Sequence, residues 1–294
     1  KQLFSIQQTY RNSSTGISYN TFYCPPKDEN TPILVCHHGA GSSAMTFWNL
    51  IKLCHDELGY GAFAYDARGH GDSSKSESMD LSLSLFVDDF VFVLHQFYAL
   101  NKPLNTICLV GHSLGGSVLI EFLSTRFKDL EYPQIGGIVV LDIVEELATK
   151  ALISTDSFNR NMPKSFRSYL EAVQWHLDSR LLHNYDSAKV SVYHLIEPDL
   201  SGRLTWKCKF DSLSEFWSTW FPGFSKKFIE STKGAVSKLL ILSTNETLDK
   251  DLMIGQMQGK YQLIVLNNSS GTGHFVHEDV PKKSMLSVLN FIRR

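Results

Sequence analysis

A glycine-rich turn between a predicted strand and a predicted helix constrains this chain more than any other feature. Residues 107–110 are apolar and strand-like, the segment GHSLGG (111–116) follows at once, and residues 114–127 have a helical pattern. The turn has the form Gly-x-Ser-x-Gly in the strand–turn–helix context of a nucleophile elbow. Strand and helix approach so closely there that larger side chains at 111 and 115 would collide, which glycine avoids. The pattern therefore predicts a nucleophilic serine, Ser113.

Strands and helices alternate on both sides of this turn. Short apolar runs occur at 32–36, 61–65, 106–110 and 138–141, and helical patterns separate them at 44–53, 86–100 and 114–127. Such alternation is typical of a parallel sheet covered by helices on both faces. Within the second helix the spacing of Phe86, Phe90, Val93, Phe97 and Leu100 predicts one apolar face. We therefore predict an α/β fold with a mostly parallel central sheet.

The alternation is interrupted after Asp142. Residues 143–236 contain no obvious core strand, have mainly helical patterns and hold four of the five tryptophans. Strand patterns resume at 238–242 and 261–266, before a closing helix from about residue 282. We predict the first part of a core at 1–142, an inserted helical cap at 143–236 and the second part of the core at 237–294.

Composition and charge narrow the possible partners. The 28 basic and 30 acidic residues give a net charge of −2 without a basic run, so we expect no nucleic acid partner. The longest apolar runs are far shorter than the ~18 residues of a membrane span, so we expect no membrane-spanning segment.

Five scattered cysteines without a C-x-x-C pair argue against a disulfide framework and a structural zinc site. With no leader pattern at residues 1–6, we expect an intracellular protein of the cytoplasm, with its division between cytoplasm and nucleus left open.

A serine hydroxyl needs a base to remove its proton, and in folds of this kind that base is a histidine late in the chain. The segment GTGHFVHED (271–279) supplies two candidates, His274 and His277. His274 follows glycines at a loop apex beyond the last predicted strand, whereas His277 lies nearer the closing helix. We therefore favour His274 as the base, and interpret His112 within the elbow as a packing residue.

Acyl transfer also needs two amide N–H groups that hold the developing oxyanion. One comes from the residue after the nucleophile, which is Leu114, and the other from the loop after the strand 32–36. In that loop, HHGAG (37–41), Ala40 is our candidate and Gly39 the next. The adjacent histidines His37 and His38 are interpreted as structural rather than as a metal pair.

The carboxylate that orients the histidine should lie between the serine and the histidine in the chain. Asp142 ends the strand 138–141, one strand beyond Ser113, and Glu246 follows the next strand with Asp249 close behind. Spacing alone leaves Asp142 and Glu246 open. The segment DARGHGD (66–72) precedes the serine, and we interpret it as a structural loop near the pocket, held by an interaction between Asp66 and Arg68.

These motifs make the chain similar to an α/β-hydrolase from about residue 20 onward, and six blocks carry a closer resemblance to the protein phosphatase methylesterases. The blocks are GHSLGG (111–116), LDIVE (141–145), SAKVS (187–191), LDKDL (248–252), IGQMQGK (254–260) and GHFVHED (273–279). The resemblance implies a carboxyl methylesterase, a serine hydrolase that removes the methyl ester from the C-terminal leucine of type 2A protein phosphatase catalytic subunits. That phosphatase subunit is then the expected partner, and the chemistry requires no metal or organic cofactor.

The resemblance also assigns roles to individual residues. It maps the nucleophile and the base onto Ser113 and His274 and favours Asp142 as the acid. Met257 and Gln258 match a block that lines the pocket for the substrate peptide in that family. In one respect the chain departs from the pattern: relatives can carry a long acidic insertion in the cap, and here the segment 196–202 is short.

Two other functions fit the same sequence. A small-molecule carboxylesterase or lipase would share the serine, histidine and acid. A non-catalytic protein that binds an inactive phosphatase stoichiometrically would use the same fold, and such binding is also compatible with catalysis. Turnover of short acyl esters far above that of a methylated phosphatase tail would favour the small-molecule enzyme.

Overall fold

The computed structural model describes residues 3–75, 79–127, 135–151, 161–244, 248–267 and 271–293. Within these ranges, eight strands form one sheet with the order β1-β2-β4-β3-β5-β6-β10-β11. The strands β1, β2, β3, β4, β5, β6, β10 and β11 span Ile6–Arg11, Ser18–Cys24, Ile33–His37, Gly61–Tyr65, Ile107–His112, Ile135–Leu141, Ser237–Leu242 and Gln262–Val265. The pairs β1–β2 and β2–β4 are antiparallel and the other five are parallel. The predicted mostly parallel sheet is confirmed.

Helices cover both faces of this sheet, as the alternating pattern predicts. The helices α1 to α10 span Trp48–Leu58, Leu83–Asn101, Leu114–Thr125, Tyr169–Asp178, Tyr185–Ser191, Phe210–Ser214, Phe224–Glu230, Lys250–Met257, Val276–Asp279 and Pro281–Ile292. Side chains of α2, α3 and α7 share one buried cluster with Ile33 and Val35, while those of α1 and α10 share another with Leu34 and Cys36. Successive residues of β3 thus pack on opposite faces, which is why this strand is apolar throughout.

Helix α2 is the longest helix of the described chain and packs on the sheet through the predicted phenylalanines. Phe86, Phe90 and Phe97 are fully buried, but Leu100 is 58% exposed, so the predicted apolar face ends one turn earlier than expected. By length and composition α2 could cross a bilayer, which the run lengths did not lead us to expect. Half of its most apolar stretch is buried inside the protein, however, and the core helix of a soluble protein meets the same criterion.

The described part of 143–236 contributes no strand to the central sheet. It contains helices α4 to α7 and three short strands, β7 (Ser165–Phe166), β8 (Ile196–Pro198) and β9 (Leu204–Trp206), which form a separate antiparallel sheet. The helical pattern of this segment did not predict the small sheet, because strands of two or three residues are too short to show a period. The two boundaries between the three predicted segments, after 142 and after 236, stay a prediction.

Buried neutral histidines make the stability of this fold depend on pH. Burial lowers the pKa of six of them, His37, His38, His70, His112, His176 and His277. Below about pH 6.5 the unfolded chain therefore binds more protons than the folded chain. The contribution of these histidines to the free energy of unfolding is fully present above that pH and is lost as the pH falls. Burial also raises the pKa of three carboxyls, that of Glu278 to about 8 and those of Asp66 and Asp89, which favours the folded state as the pH falls, but the six histidines outnumber them.

We expect the midpoint of thermal unfolding to fall by at least about 5 °C between pH 7 and pH 5.5. Differential scanning calorimetry over this range would measure it. Glu278→Gln removes one of the opposing groups and should steepen the decline, whereas a flat midpoint in the unmodified protein would contradict the expectation.

Candidate active site

Ser113 lies at a sharp turn between β5 and α3. Its φ of 50° and ψ of −122° are strained for a residue with a side chain, as a nucleophile elbow requires. A Cβ atom on Gly111 would lie 2.6 Å from the Cα of Gly116, and one on Gly115 would lie 2.1 Å from the carbonyl oxygen of His37. Side chains are therefore excluded at both positions. At 111 the collision is the predicted one between the strand and the helix of the elbow, whereas at 115 it is with the backbone at the end of β3.

Asp142 follows β6, next to β5 in the sheet, and also has a left-handed backbone with φ of 55°. One carboxylate oxygen accepts a hydrogen bond from the amide of Ser243 at 2.7 Å. The other accepts one from Nδ1 of His274 at 2.8 Å. Both oxygens of this buried carboxylate are thereby engaged, and the hydrogen bond leaves Nε2 of His274 as the nitrogen that can accept a proton.

The side chain of His274 is about half exposed at 49% and lines the same cavity as Ser113 and Asp142. Two hydrogen bonds hold its backbone. Nε2 of His112 donates to the His274 carbonyl at 2.9 Å, and the preceding amide, of Gly273, donates to Asp279 at 2.7 Å. His112 is therefore more than the packing residue that we predicted. No sequence pattern shows this contact, because its two partners are 162 positions apart.

The alternative base, His277, has a different environment. It is fully buried, stacks on Phe47 with ring centroids 4.8 Å apart, and its Nε2 lies 2.8 Å from the hydroxyl of Thr46. Burial lowers the pKa of His277 to about 3. It does not line the cavity within the described chain, so the structure brings His274 and not His277 to Asp142.

The later acids do not take part in this pairing in the described structure. Asp249 caps helix α8 by accepting from the amide of Leu252 at 3.0 Å, and it also accepts from the hydroxyl of Ser225. Glu246 lies outside the described residues. Of the acids that the structure describes, Asp142 is the one hydrogen-bonded to His274.

The two predicted oxyanion donors flank the serine. Leu114 begins α3, where the first amides of a helix have no partner within the helix. Ala40 lines the cavity, and a Cβ atom on the preceding Gly39 would lie 3.1 Å from Cβ of Ser113, so this loop packs directly against the serine. The position of both residues suits an oxyanion site, and their roles stay a prediction.

The loop at 66–72 is buried near this site, but the interaction that we predicted for it was wrong. Arg68 forms a salt bridge with Asp89 of helix α2, through Nε and Nη2, both at 2.5 Å. Asp66 instead accepts from the amides of Ala44 and Asp72, at 2.8 and 3.0 Å. Two adjacent opposite charges suggested a local pair, yet a guanidinium reaches a carboxylate on a neighbouring helix as readily as one in its own loop.

A cavity of about 710 Å³ opens at these residues. Apart from the polar groups above, its wall is mostly apolar and comes largely from the described part of 143–236, with the side chains Leu147, Leu181, Leu182, Leu195, Trp206, Phe210, Leu213, Trp217, Trp220 and Phe221.

Met257, which is 82% exposed, and the exposed Gln258 lie at the end of α8 and do not line this cavity. Their predicted contact with a substrate peptide stays a prediction and would concern the outer surface. Among the described residues no cluster of three or more histidine, cysteine or acidic side chains could hold a metal ion.

Fold and site define the class of protein, and comparison with known proteins agrees. The profile of the alpha/beta hydrolase family matches residues 34–284. The crystal structure of E-2-(acetamidomethylene)succinate hydrolase superposes with a TM-score of 0.76 over 98% of this chain and 100% of its own, at 19% identity. A thioesterase domain from the curacin biosynthetic pathway superposes with a TM-score of 0.69 over 97% of this chain and 98% of its own, at 18% identity. The chain is an α/β-hydrolase.

Sequence relatives narrow the assignment. Protein phosphatase methylesterase 1 of Debaryomyces hansenii is 45% identical over 301 residues, covering 100% of this chain and 76% of the relative. The protein of the same name from Saccharomyces cerevisiae is 39% identical, covering 95% of this chain and 72% of the relative. This chain belongs to the protein phosphatase methylesterase family, as the six sequence blocks implied.

Exchange of the acid tests the geometry of the site. We expect Asp142→Asn to lower kcat for p-nitrophenyl acetate by about 10³–10⁴, because an amide no longer holds His274 in the tautomer that accepts a proton. Glu246→Gln, the matched change at the other acid, should lower it far less. Steady-state hydrolysis at pH 7.5 measures both variants, and the reverse ranking would place the acid at 246.

Proposed function

We propose that this protein is a serine esterase that hydrolyses the methyl ester on the C-terminal leucine of a type 2A protein phosphatase catalytic subunit and releases methanol. The observation that carries the proposal is the hydrogen bond of 2.8 Å between His274 and Asp142 in one cavity with the strained Ser113. Membership of the methylesterase family supplies the substrate class.

The proposed mechanism follows from the orientation of the groups. Ser113 Oγ attacks the ester carbonyl while Nε2 of His274 takes its proton, and Asp142 stabilises the resulting imidazolium. The amides of Ala40 and Leu114 hold the oxyanion, and His274 returns the proton to the departing methoxide. Water, activated by the same histidine, then releases the acyl group from the serine as a free carboxylate.

The apolar wall of the cavity suits the acyl side of such a substrate. Methanol is too small to supply much binding energy, so affinity must come from the acid portion and from the phosphatase surface around it. The side chains from 143–236 can bury the leucine side chain, and each buried Å² of apolar surface contributes roughly 25 cal/mol. Stoichiometric binding of an inactive phosphatase would use the same surface.

The cavity also supports the second candidate, hydrolysis of small apolar esters, since its wall is mostly apolar. The two functions differ in the ratio of kcat/KM for a methylated phosphatase subunit to that for methyl butyrate. We propose the protein substrate because of the family relationship.

We also propose an intracellular location, in line with five cysteines that are all free and buried.

Replacement of the nucleophile tests the proposal. Ser113→Ala should abolish methanol release from the methylated phosphatase subunit, and it should abolish the mass increase that a fluorophosphonate produces on the intact protein. Ser124→Ala, which removes a hydroxyl from the same helix far along from the elbow, is the matched control and should behave as the unmodified protein does.

Binding of the Ser113→Ala variant to the subunit, measured by surface plasmon resonance, separates catalysis from stoichiometric binding. Retained affinity without demethylation would show both roles. Unchanged methanol release by this variant would contradict the mechanism.

A further inference from the structure

Two loops beside the serine are joined by buried side chains that accept hydrogen bonds from backbone amides. We call residues 38–44 the oxyanion loop and residues 66–72 the Arg68 loop. The amide of Gly41 donates to Nε2 of His70 at 3.0 Å, and the amide of Ala67 donates to Nε2 of His38 at 3.0 Å. With the bond from Ala44 to Asp66 already described, each loop supplies acceptors to the other.

The acceptor role of His70 is fixed by its other nitrogen. Nδ1 lies 2.8 Å from the carbonyl oxygen of Arg68 and must donate to it, so Nε2 carries the free electron pair that Gly41 requires. The ring is completely buried. Burial lowers the pKa of His70 to about 4, so the ring is neutral and remains an acceptor at physiological pH.

The position of His70 is in turn anchored to the core. Arg68 makes two contacts: its carbonyl accepts the hydrogen bond from His70, and its guanidinium forms the buried salt bridge with Asp89 on helix α2. The hydroxyl of Tyr19 on β2 donates to the same carboxylate. A continuous chain of hydrogen bonds therefore runs from the sheet and α2 through His70 to the oxyanion loop.

The bond to Gly41 decides which amides of the oxyanion loop remain available. Because the Gly41 N–H points at His70, it does not serve an oxyanion, and the peptide plane between residues 40 and 41 is fixed. Gly41 has a left-handed φ of 70°, and a Cβ atom on it would lie 2.4 Å from the ring of Phe210. These contacts restrict the loop at Gly41, and the neighbouring N–H, that of Ala40, is left for the oxyanion.

We propose that His70 is a positioning residue for ester hydrolysis, which holds the Ala40 amide at the oxyanion site through its hydrogen bond with Gly41. The inference rests on the proposed serine-esterase function, since it concerns the developing oxyanion. The thiol of Cys208 also approaches the Gly41 amide. Sulfur is a weak acceptor, however, and among the described residues no hydrogen bond from this thiol to the Arg68 loop fixes its position relative to that loop.

Two substitutions of His70 separate the acceptor from the bulk of the ring. His70→Phe keeps an aromatic ring but removes the acceptor, whereas the side-chain oxygen of His70→Gln can take the place of Nε2. Loss of one oxyanion donor costs about 10²–10³ in rate, and misplacement of one should cost part of that. We therefore expect His70→Phe to lower kcat about 10- to 100-fold with KM changed less than about 3-fold, and His70→Gln to recover most of the loss.

A transition-state mimic distinguishes positioning from general damage to the fold. A trifluoromethyl ketone forms an oxyanion at Ser113, so its inhibition constant should rise in His70→Phe by the factor by which kcat/KM falls. Phe291→Leu is the control for lost stability and should leave kcat and this constant unchanged, because it removes buried side-chain volume on α10 beside Gly137, near the start of β6 and thus at the opposite end of that strand from Asp142. An unchanged inhibition constant in His70→Phe would overturn the inference.

Hydrogen exchange of the Gly41 amide, followed by NMR, tests the contact without reference to any substrate. Protection should be lost in His70→Phe and retained in His70→Gln. If the protein failed to demethylate the phosphatase, this measurement would still report on His70, so the two proposals fail separately. Equal protection of Gly41 in the unmodified protein and in His70→Phe would overturn the inference.

Discussion

The hydrogen bond between Asp142 and His274 joins residues that are 132 positions apart in the chain and depends on the order of strands in the sheet. Strand β6 lies between β5 and β10, so the residues that follow the three strands meet at one edge. Asp142 is hydrogen-bonded to this neighbouring segment twice. Its amide donates to the carbonyl of Ile241 on β10, and its carboxylate accepts from the amide of Ser243 just beyond that strand. The positions of the acid and the serine are thus set by backbone pairing within the sheet.

Both polar residues at this edge have left-handed backbone conformations, Ser113 with φ of 50° and Asp142 with φ of 55°. Such conformations cost roughly 1–3 kcal/mol each in residues with a side chain, so the surrounding structure must hold them. Parallel pairing on both sides of β5 and β6 supplies that support. The strain turns both side chains out of the sheet toward the cavity, which a regular strand end would not do.

Sequence patterns could predict what depends on local sequence. The elbow is readable because Gly111 and Gly116 approach each other within a few residues, and the mostly parallel sheet follows from the alternation of strands and helices. The contacts of His112 and His70 were missed because the local sequence around a histidine is the same whether its ring only packs or also hydrogen-bonds to a backbone group that is distant in the chain. The partner of Arg68 was assigned wrongly for the same reason, since Asp89 is distant in sequence and adjacent only after α2 packs on the sheet.

Chemistry and recognition come from different parts of the chain, and the structure gives a physical reason for the division. The reacting groups lie on strand ends and on loops tied to them by buried hydrogen bonds, where a displacement of about 1 Å is costly to catalysis. The cavity wall comes mostly from the described part of 143–236. One part of this segment has its own buried cluster around Phe166 and Ala172, and another part, with Trp217 and Trp220, packs in a cluster of the central sheet. Apolar contact is non-directional and tolerates changes of side chain that keep the volume. Substitutions in this wall should therefore alter which acyl group is bound while the geometry of Ser113, Asp142 and His274 is retained.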